Sequence, residues 1–280
     1  MHFGEIEISI LNAGTFYLDG GAMFGVVPKT LWERKTPADS RNRIRLGMNA
    51  LLLRVAGKTV VVETGAGGKW DAKNRDIYGL AEADPLPEAL AHAGVRPSDV
   101  DIVINTHLHF DHAGGNTRIE NGRTVPAFPN ARYVVQRSEL EHAQQPSERD
   151  RASYFPENFA PITEAEQWWL VDGEAEILPG VSVHPIPGHN LQIQGVQICG
   201  GGKSAFFLAD LIPTRHHVPL PWIMAYDLYP MITLETKRKW IARVVREGGA
   251  ILFGHDPDMP AAQLRERDGK IVVEPVDGNQ

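Results

Sequence analysis

Three histidines and one aspartate lie within six consecutive residues of the segment THLHFDHAGGN. They are His107, His109, Asp111 and His112. Imidazole nitrogens and carboxylate oxygens together suit zinc, and also iron or manganese. On an extended backbone, side chains two residues apart point the same way, as those of His107 and His109 would. The spacing predicts a metal-binding loop rather than a set of unrelated surface histidines.

The metal-binding loop directly follows the apolar, β-branched run at residues 100–105, which predicts a buried strand. Three further polar residues stand behind strand-like apolar runs in the same way. PIPGHN contains His189, FFLAD contains Asp210 and ILFGHD contains His255. Each alone is weak evidence, because a lone histidine usually caps or packs. In this order behind the loop, they predict a larger site assembled at strand ends.

Two batches of predicted strands, each followed by helical sequence, form the frame around these ligands. Residues 5–11 alternate polar and apolar side chains, and residues 175–212 contain short apolar runs separated by turn sequences. The clearest helix covers residues 233–247, with Thr233 as its predicted N-cap. The pattern predicts an α+β fold with two sheets packed face to face and helices outside, as one domain over residues 1–280.

Two segments without clear periodicity, residues 19–48 and 146–170, are predicted to be loop insertions. Large apolar side chains are frequent in nonperiodic stretches of this chain, and such side chains often form the walls of a binding pocket. The ordinary alternative is that they belong to the hydrophobic core. The residues assigned to a candidate substrate pocket are Met23, Phe24, Trp32, His216, Trp222 and Tyr226.

The composition excludes several classes of function. The net charge is −7 and the 28 Lys and Arg residues form no block, so we expect no nucleic-acid partner. The single cysteine, Cys199, cannot form an internal disulfide and fits a reducing compartment. The start of the sequence has no signal-peptide pattern, and no run approaches about 18 apolar residues. We therefore expect a cytoplasmic protein without a membrane span.

The HLHFDH run resembles the HxHxDH signature of the metallo-β-lactamase superfamily, and the similarity covers roughly residues 5 to 260. The resemblance implies a four-layer αββα sandwich with a metal site at the sheet edges. It implies two divalent metal ions, with zinc favoured and iron or manganese as alternatives. By position, His107, His109 and His189 would hold the first metal, Asp111, His112 and His255 the second, and Asp210 would bridge the two.

The superfamily resemblance also implies a reaction. Two divalent ions about 3.5–4 Å apart share a water molecule and lower its pKa towards neutrality, which yields a hydroxide that attacks an ester-type bond. Asp210, as the bridge, and Asp111, as the group that exchanges a proton with water or the leaving group, are the catalytic candidates. The implied partner is a small-molecule substrate, and a homodimer is an open alternative to a monomer.

Three positions distinguish this chain from parts of the superfamily. Glu63 stands where an aspartate is usual, and we expect the longer carboxylate to keep accepting hydrogen bonds beside the ligands. The members that hydrolyse β-lactams lack a bridging aspartate at the position of Asp210, which argues against antibiotic hydrolysis. N-acyl homoserine lactonases usually have a tyrosine three residues after the bridge, where this chain has Pro213.

Three functions stay open on the sequence alone. The first is hydrolysis of a lactone or carboxylic ester, because the HLHFDHAGGN run resembles that of N-acyl homoserine lactonases; His216 or Tyr226 would then replace the missing tyrosine. The second is hydrolysis of an organophosphate or aryl phosphotriester, because the segment around Pro213 is more similar to methyl parathion hydrolases. The third, a metal-binding sensor without catalysis, is disfavoured by the complete ligand set.

Overall fold

The computed structural model describes residues 1–81 and 83–276, and this part of the chain contains sixteen β-strands. In chain order the strands are β1 (His2–Phe3), β2 (Ile6–Asp19), β3 (Arg43–Val55), β4 (Lys58–Val62), β5 (Ile102–Ile104), β6 (Thr117–Glu120), β7 (Arg123–Pro126), β8 (Arg132–Gln136), β9 (Trp168–Val171), β10 (Ala175–Leu178), β11 (Val181–Pro185), β12 (Gln194–Gly200), β13 (Lys203–Phe207), β14 (Ala250–Leu252), β15 (Ala261–Arg267) and β16 (Lys270–Pro275).

The strands form two seven-stranded sheets and one two-stranded ribbon. The first sheet has the order β1-β2-β3-β4-β5-β8-β9, and the second has the order β10-β11-β12-β13-β14-β15-β16. The ribbon consists of β6 and β7. Strands β4, β5, β8 and β9 pair in parallel, as do β13 and β14. The loops that leave parallel strands therefore meet at one edge of each sheet, where polar side chains can converge.

Eight α-helices accompany the sheets in the described residues. They are α1 (Gly20–Phe24), α2 (Lys29–Trp32), α3 (Ala72–Tyr78), α4 (Leu86–His92), α5 (Phe110–Ala113), α6 (Arg137–Gln144), α7 (Ala160–Glu164) and α8 (Pro230–Glu247). Helices α3 and α4 pack against β2 of the first sheet, whereas α8 packs against β13 and β15 of the second. None of these eight helices combines the length and the hydrophobicity needed to traverse a lipid bilayer.

The main hydrophobic core lies between the two sheets. Leu53 and Val62 from the first sheet and Val196 and Phe207 from the second all belong to it, and each is at most 1% exposed. A second core on the other side of the first sheet fills the space beneath the N-terminal helices. The predicted sandwich of two sheets with helices outside is confirmed, because each sheet buries one face against the other and one face against helices.

Three predicted boundaries are wrong. Residues 43–48, expected to be irregular, belong to β3, because the last residues of the long strand β2, Thr15 to Asp19, pair with this segment. Trp168, expected in an insertion, starts β9 and pairs with the edge of the first sheet at β8. The last helix begins at Pro230 rather than after Thr233, since proline at the first position of a helix lacks an N–H that would otherwise need a partner.

Candidate metal centre

The structure brings the seven predicted ligands together at one edge of the sandwich. The loop after β5 carries His107 and His109, and the short helix α5 carries Asp111 and His112. The second sheet contributes three side chains, each from a segment that follows a strand: β11 precedes His189, β13 precedes Asp210 and β14 precedes His255. The buried strands thus fix the backbone on both sides of the site.

The ligand atoms form overlapping groups within 4.8 Å of one another. The bridging position is the best defined. Asp210 Oδ2 lies 3.3 Å from His189 Nε2, whereas Asp210 Oδ1 lies 3.0 Å from His255 Nε2 and 3.3 Å from His112 Nε2. The two oxygens of the Asp210 carboxylate therefore face different sets of histidines. The groups of potential ligands in the described residues are His107, His109 and His189; His107, His112 and Asp210; and Asp111, His112 and His255.

The buried polar atoms at this site fit metal cations. Among the described residues, His107 Nε2 and Asp210 Oδ1 are buried without a hydrogen-bond partner, an arrangement that costs about 1–3 kcal/mol per group. His112 Nε2 and His255 Nε2 lie only 3.1 Å apart, so their lone pairs repel unless a proton or a cation lies between them. Oxygen and imidazole donors with this arrangement suit divalent transition metals.

The pKa shifts of the buried histidines and of Asp210 also indicate a site that suits a cation. Burial, together with neighbouring histidines, lowers the pKa of His107 and of His109 well below the usual value. Burial also opposes the charged form of His112, but nearby carboxylates, Asp111 foremost, raise its pKa well above the usual value. Burial opposes ionisation of Asp210, yet the surrounding histidines hold its pKa well below the usual range. The Asp210 carboxylate is thus anionic and attracts cations.

Hydrogen bonds from outside the ligand set orient the imidazole rings. Glu63 Oε1 accepts a hydrogen bond from Thr106 N at 2.8 Å, and its Oε2 lies 3.4 Å from His112 Nδ1. The expectation that a glutamate keeps accepting hydrogen bonds here is confirmed. On the other side, His255 Nδ1 donates to the carbonyl oxygen of Gly47 at 2.8 Å. Such partners fix the ring orientation and the nitrogen that faces a metal.

A cavity of about 460 Å³ opens onto the ligand cluster. Two of the predicted pocket residues, Met23 and Tyr226, line it. Its wall combines apolar side chains with a few polar groups, which is typical of a small-molecule site. The lining residues are Leu18, Ala22, Met23, Tyr78, His109, Phe110, Asp111, Arg149, Asp150, Ala152, Ser153, His189, Asp210, Met224, Ala225, Tyr226, Leu228 and His255.

Four predicted pocket residues lie elsewhere, which corrects the sequence-based assignment. Phe24 stacks on Trp32 at 5.4 Å in the core, and the partly buried Trp222 ring meets Phe24 edge-on at 5.5 Å. The reason is that the chain after β2 folds into α1 and α2 and buries its own aromatic side chains. His216 lines a separate pocket of about 150 Å³ beside Arg215.

Residues 44–255 match the family model described as the metallo-β-lactamase superfamily. The chain belongs to this superfamily. The match runs from β3 to β14 and includes all seven candidate ligands, and the family predicted from the sequence is confirmed. The four-layer arrangement of the two sheets and their helices is therefore the metallo-β-lactamase fold.

Several relatives within the superfamily are similar to this chain. An N-acyl homoserine lactonase from a Bacillus species is 36% identical over 198 residues, which cover 70% of this chain and 69% of that protein. The chain spans 64% of the length of the N-acyl homoserine lactonase of Bacillus thuringiensis, at 30% identity. The crystal structure of a probable metal-dependent hydrolase from Staphylococcus aureus superimposes with a TM-score of 0.91 at 32% identity and covers all of both chains.

Residues that the sequence analysis missed complete this metallo-β-lactamase site. Asp227 Oδ1 lies 2.9 Å from His189 Nδ1 and is buried. Tyr78 and Arg149 line the cavity, and Arg149 Nη2 donates to the carbonyl oxygen of Ala225 at 2.9 Å across its rim. All three lie in helix ends or loops without periodicity, so no sequence signal distinguished them from solvated polar residues.

Proposed function

We propose that this chain is a metal-dependent hydrolase that opens the ester bond of a lactone, with carboxylic esters as chemically equivalent substrates. The observation that carries the proposal is the position of Asp210, whose two carboxylate oxygens face different histidine sets at the floor of a cavity. The lactonase names of several relatives support the choice of substrate class.

The proposed site holds two divalent cations, with zinc first and iron or manganese as alternatives. The first cation would lie among His107, His109 and His189, and the second among Asp111, His112 and His255, with Asp210 between them. When bound, the two cations would polarise the substrate carbonyl and supply a nucleophilic hydroxide from water at neutral pH.

The chain's own residues would move the proton and orient the substrate. Asp111 lines the cavity, and its Oδ2 lies 3.5 Å from His255 Nε2, so the carboxylate reaches both the solvent side and the ligand cluster. We assign Asp111 the transfer of a proton from the attacking water to the leaving alkoxide. The apolar side chains of Met23, Met224 and Leu18 would contact the hydrocarbon part of the substrate.

Tyr226 is the proposed donor to the substrate carbonyl oxygen. Pro213 stands at the position where a tyrosine is expected in lactonases, and its carbonyl oxygen accepts a hydrogen bond from His255 N at 2.9 Å. Of the two replacements considered from the sequence, Tyr226 lines the cavity whereas His216 lines a different pocket. A phenol O–H directed at a developing oxyanion stabilises the transition state more than the ground state.

A substrate panel tests the proposal. Protein loaded separately with zinc, manganese or iron is assayed on N-acyl homoserine lactones, an aryl carboxylic ester, an aryl phosphotriester and a chromogenic β-lactam. We expect the highest kcat/KM on a lactone and no turnover of the β-lactam. Asp210→Asn should abolish turnover, and Asp172→Asn, an exposed aspartate whose side chain is 69% accessible, should not change it.

The panel also decides between the remaining functions. Turnover of the phosphotriester without any lactone opening would favour an organophosphate hydrolase. Pro213 is consistent with that alternative, because it stands where lactonases usually have a tyrosine. Two bound metals without turnover of any ester would favour a metal-binding sensor. Metal analysis of the same samples separates that outcome from a simple failure to load the site.

A further inference from the structure

A buried carboxylate connects the two loops that carry the three-histidine group. Glu139 lies on α6, away from the cavity, and is 0% exposed. Its Oε1 accepts hydrogen bonds from Leu108 N at 2.8 Å and from the Tyr154 hydroxyl at 3.0 Å. Its Oε2 accepts a hydrogen bond from Asn190 Nδ2 at 3.0 Å. A carboxylate buried at this depth is retained at a cost in desolvation, which its three donors offset.

Two of the three donors to Glu139 are next to histidines of that group in the chain. Leu108 N belongs to the residue between His107 and His109, so its hydrogen bond fixes the backbone that directs both rings. Asn190 directly follows His189 in the chain. Glu139 therefore holds the first-sheet loop and the second-sheet loop at a fixed separation.

The other contacts of these donors make the connection rigid. Asn190 Oδ1 accepts hydrogen bonds from Gln192 N at 2.9 Å and Ile193 N at 2.6 Å, which closes the turn that carries His189. The Tyr154 ring meets the His109 ring edge-on with centroids 4.6 Å apart, so the same residue that donates to Glu139 also limits rotation of His109. Every histidine of the group is thus next to a residue that donates a hydrogen bond to Glu139.

The second ligand group is oriented by different residues. His112 Nδ1 lies 3.4 Å from Glu63 Oε2, and His255 Nδ1 donates to the carbonyl oxygen of Gly47. Within the described residues, the hydrogen bonds of Glu139 reach neither of these side chains. The two metal positions therefore differ in how they are supported.

We propose that Glu139, acting through Leu108, Tyr154 and Asn190, is a positioning residue that sets the affinity of the metal position formed by His107, His109 and His189, independently of the position formed by Asp111, His112 and His255. The inference rests on the metal-binding part of the proposed function and not on the identity of the substrate.

Glu139→Gln tests this role with a minimal change in shape. The glutamine replaces one acceptor oxygen by an NH2 group, which would face the donor groups of Asn190 or Leu108 instead of accepting from them. We expect the affinity of the first metal position to fall about 10- to 100-fold, the usual effect of losing a partner behind metal ligands. The measurement is zinc retained per chain after dialysis against graded chelator concentrations. Glu141→Gln, an exposed neighbour on the same helix, is the matched control.

Two variants that each lack one candidate ligand make the measurement specific to one metal position. In His255→Gln, the zinc that remains reports the first position, and Glu139→Gln should weaken its retention. In His189→Gln, the zinc that remains reports the second position, and Glu139→Gln should leave its retention unchanged. Equal weakening in both backgrounds would overturn the proposal, because it would indicate a general loss of structure.

A double variant tests whether the lost metal affinity can be recovered. Glu139→Gln combined with Asn190→Asp exchanges donor and acceptor across the pair and keeps one negative charge, so the new amide donates to the new carboxylate. We expect this double variant to regain at least half of the lost affinity on a logarithmic scale. An absence of rescue together with wild-type affinity in Tyr154→Phe, which removes the hydroxyl donor and keeps the ring, would contradict the network.

Folding and function are separated by two further readouts. Circular dichroism and the Tm of the metal-free variants show whether each variant folds; if Glu139→Gln does not, Tyr154→Phe carries the test, with a smaller loss expected at the same position. Wild-type protein that binds no metal would overturn the proposed function together with this inference. Wild-type metal affinity in both folded Glu139→Gln and Tyr154→Phe would overturn the inference alone.

Discussion

The carboxylate of Asp227 lies 2.9 Å from Nδ1 of His189, and this contact turns Nε2 of the same ring towards Asp210. Asp227 is 6% exposed, so water does not compete effectively for the hydrogen bond. A carboxylate behind a metal-ligating histidine fixes its tautomer and raises its basicity. The contact therefore supports the candidate metal site although Asp227 lies 38 residues from the histidine in the chain.

We predict that Asp227→Asn weakens metal binding without unfolding the protein. Asparagine keeps the shape but removes the charge, so metal affinity or kcat/KM should fall about 10- to 100-fold. Chelator titration followed by metal analysis measures the change, with Asp172→Asn as an exposed control. Unchanged affinity in a folded Asp227→Asn variant would assign the contact a purely structural role.

A second prediction concerns the stability of the protein as pH changes. Lys237 on α8 is 1% exposed and donates hydrogen bonds to the carbonyl oxygens of Pro219 and Trp222 at 3.0 and 2.8 Å. Burial lowers its pKa to about 7. The unfolded chain keeps the ordinary lysine pKa near 10.5, so it binds more protons than the folded chain between these values. The contribution of Lys237 to stability is therefore lowest below about pH 7 and increases as the pH rises.

Comparison with Lys237→Met isolates this effect, because methionine does not titrate. The free energy of unfolding of the wild type, minus that of the variant, should increase between pH 7 and 9 by up to about 1.4 kcal/mol per pH unit. Urea unfolding at several pH values provides the measurement. Lys239→Met, an exposed change on the same helix, should show no such slope. A flat difference for Lys237→Met would mean that Lys237 keeps its proton in the folded state.

A third prediction tests the corrected role of Trp32. Its side chain is 1% exposed and stacks on Phe24, outside the cavity that contains the ligands. We expect Trp32→Ala to lower the free energy of unfolding by about 3–5 kcal/mol. Substrate preference of the remaining folded protein should stay the same. Leu31→Ala, at a neighbouring position that is 50% exposed, is the control for stability. A changed substrate preference in the folded variant would indicate that Trp32 contributes to the substrate pocket after all.

The convergence of the candidate ligands can be predicted from the sequence, because each of them follows a recognisable strand. His189, Asp210 and His255 stand behind apolar runs, and strand ends on one side of a sandwich must converge. Asp227 and Glu139 cannot be identified in this way, because the packing of distant segments determines their partners. A loop or a helix in the sequence does not reveal which of its carboxylates is buried. The sequence alone could not decide whether an aromatic residue lines a pocket or the core.

The assignment of aromatic residues fails for a related reason. Helices α1 and α2 contain five and four residues, too few for a helical period to be recognised. The sequence therefore places Phe24 and Trp32 in a pocket only because they lie in a nonperiodic segment. The structure buries both rings, while Met23, in the same short helix as Phe24, reaches the cavity wall.

The last prediction concerns the proposed donor to the substrate carbonyl. Tyr226 lines the cavity, is 38% exposed, and none of the hydrogen bonds found among the described residues involves its hydroxyl. Tyr226→Phe removes the O–H group and leaves the ring, so kcat on a lactone should fall about 100-fold while metal content stays the same. KM should change little if the hydroxyl acts mainly in the transition state. Tyr229→Phe, a 40% exposed tyrosine outside the cavity lining, is the control. A variant with wild-type kcat would transfer the role to another group at the cavity, and Tyr78→Phe is the substitution to measure next, because its ring lies against Phe110 on the same wall.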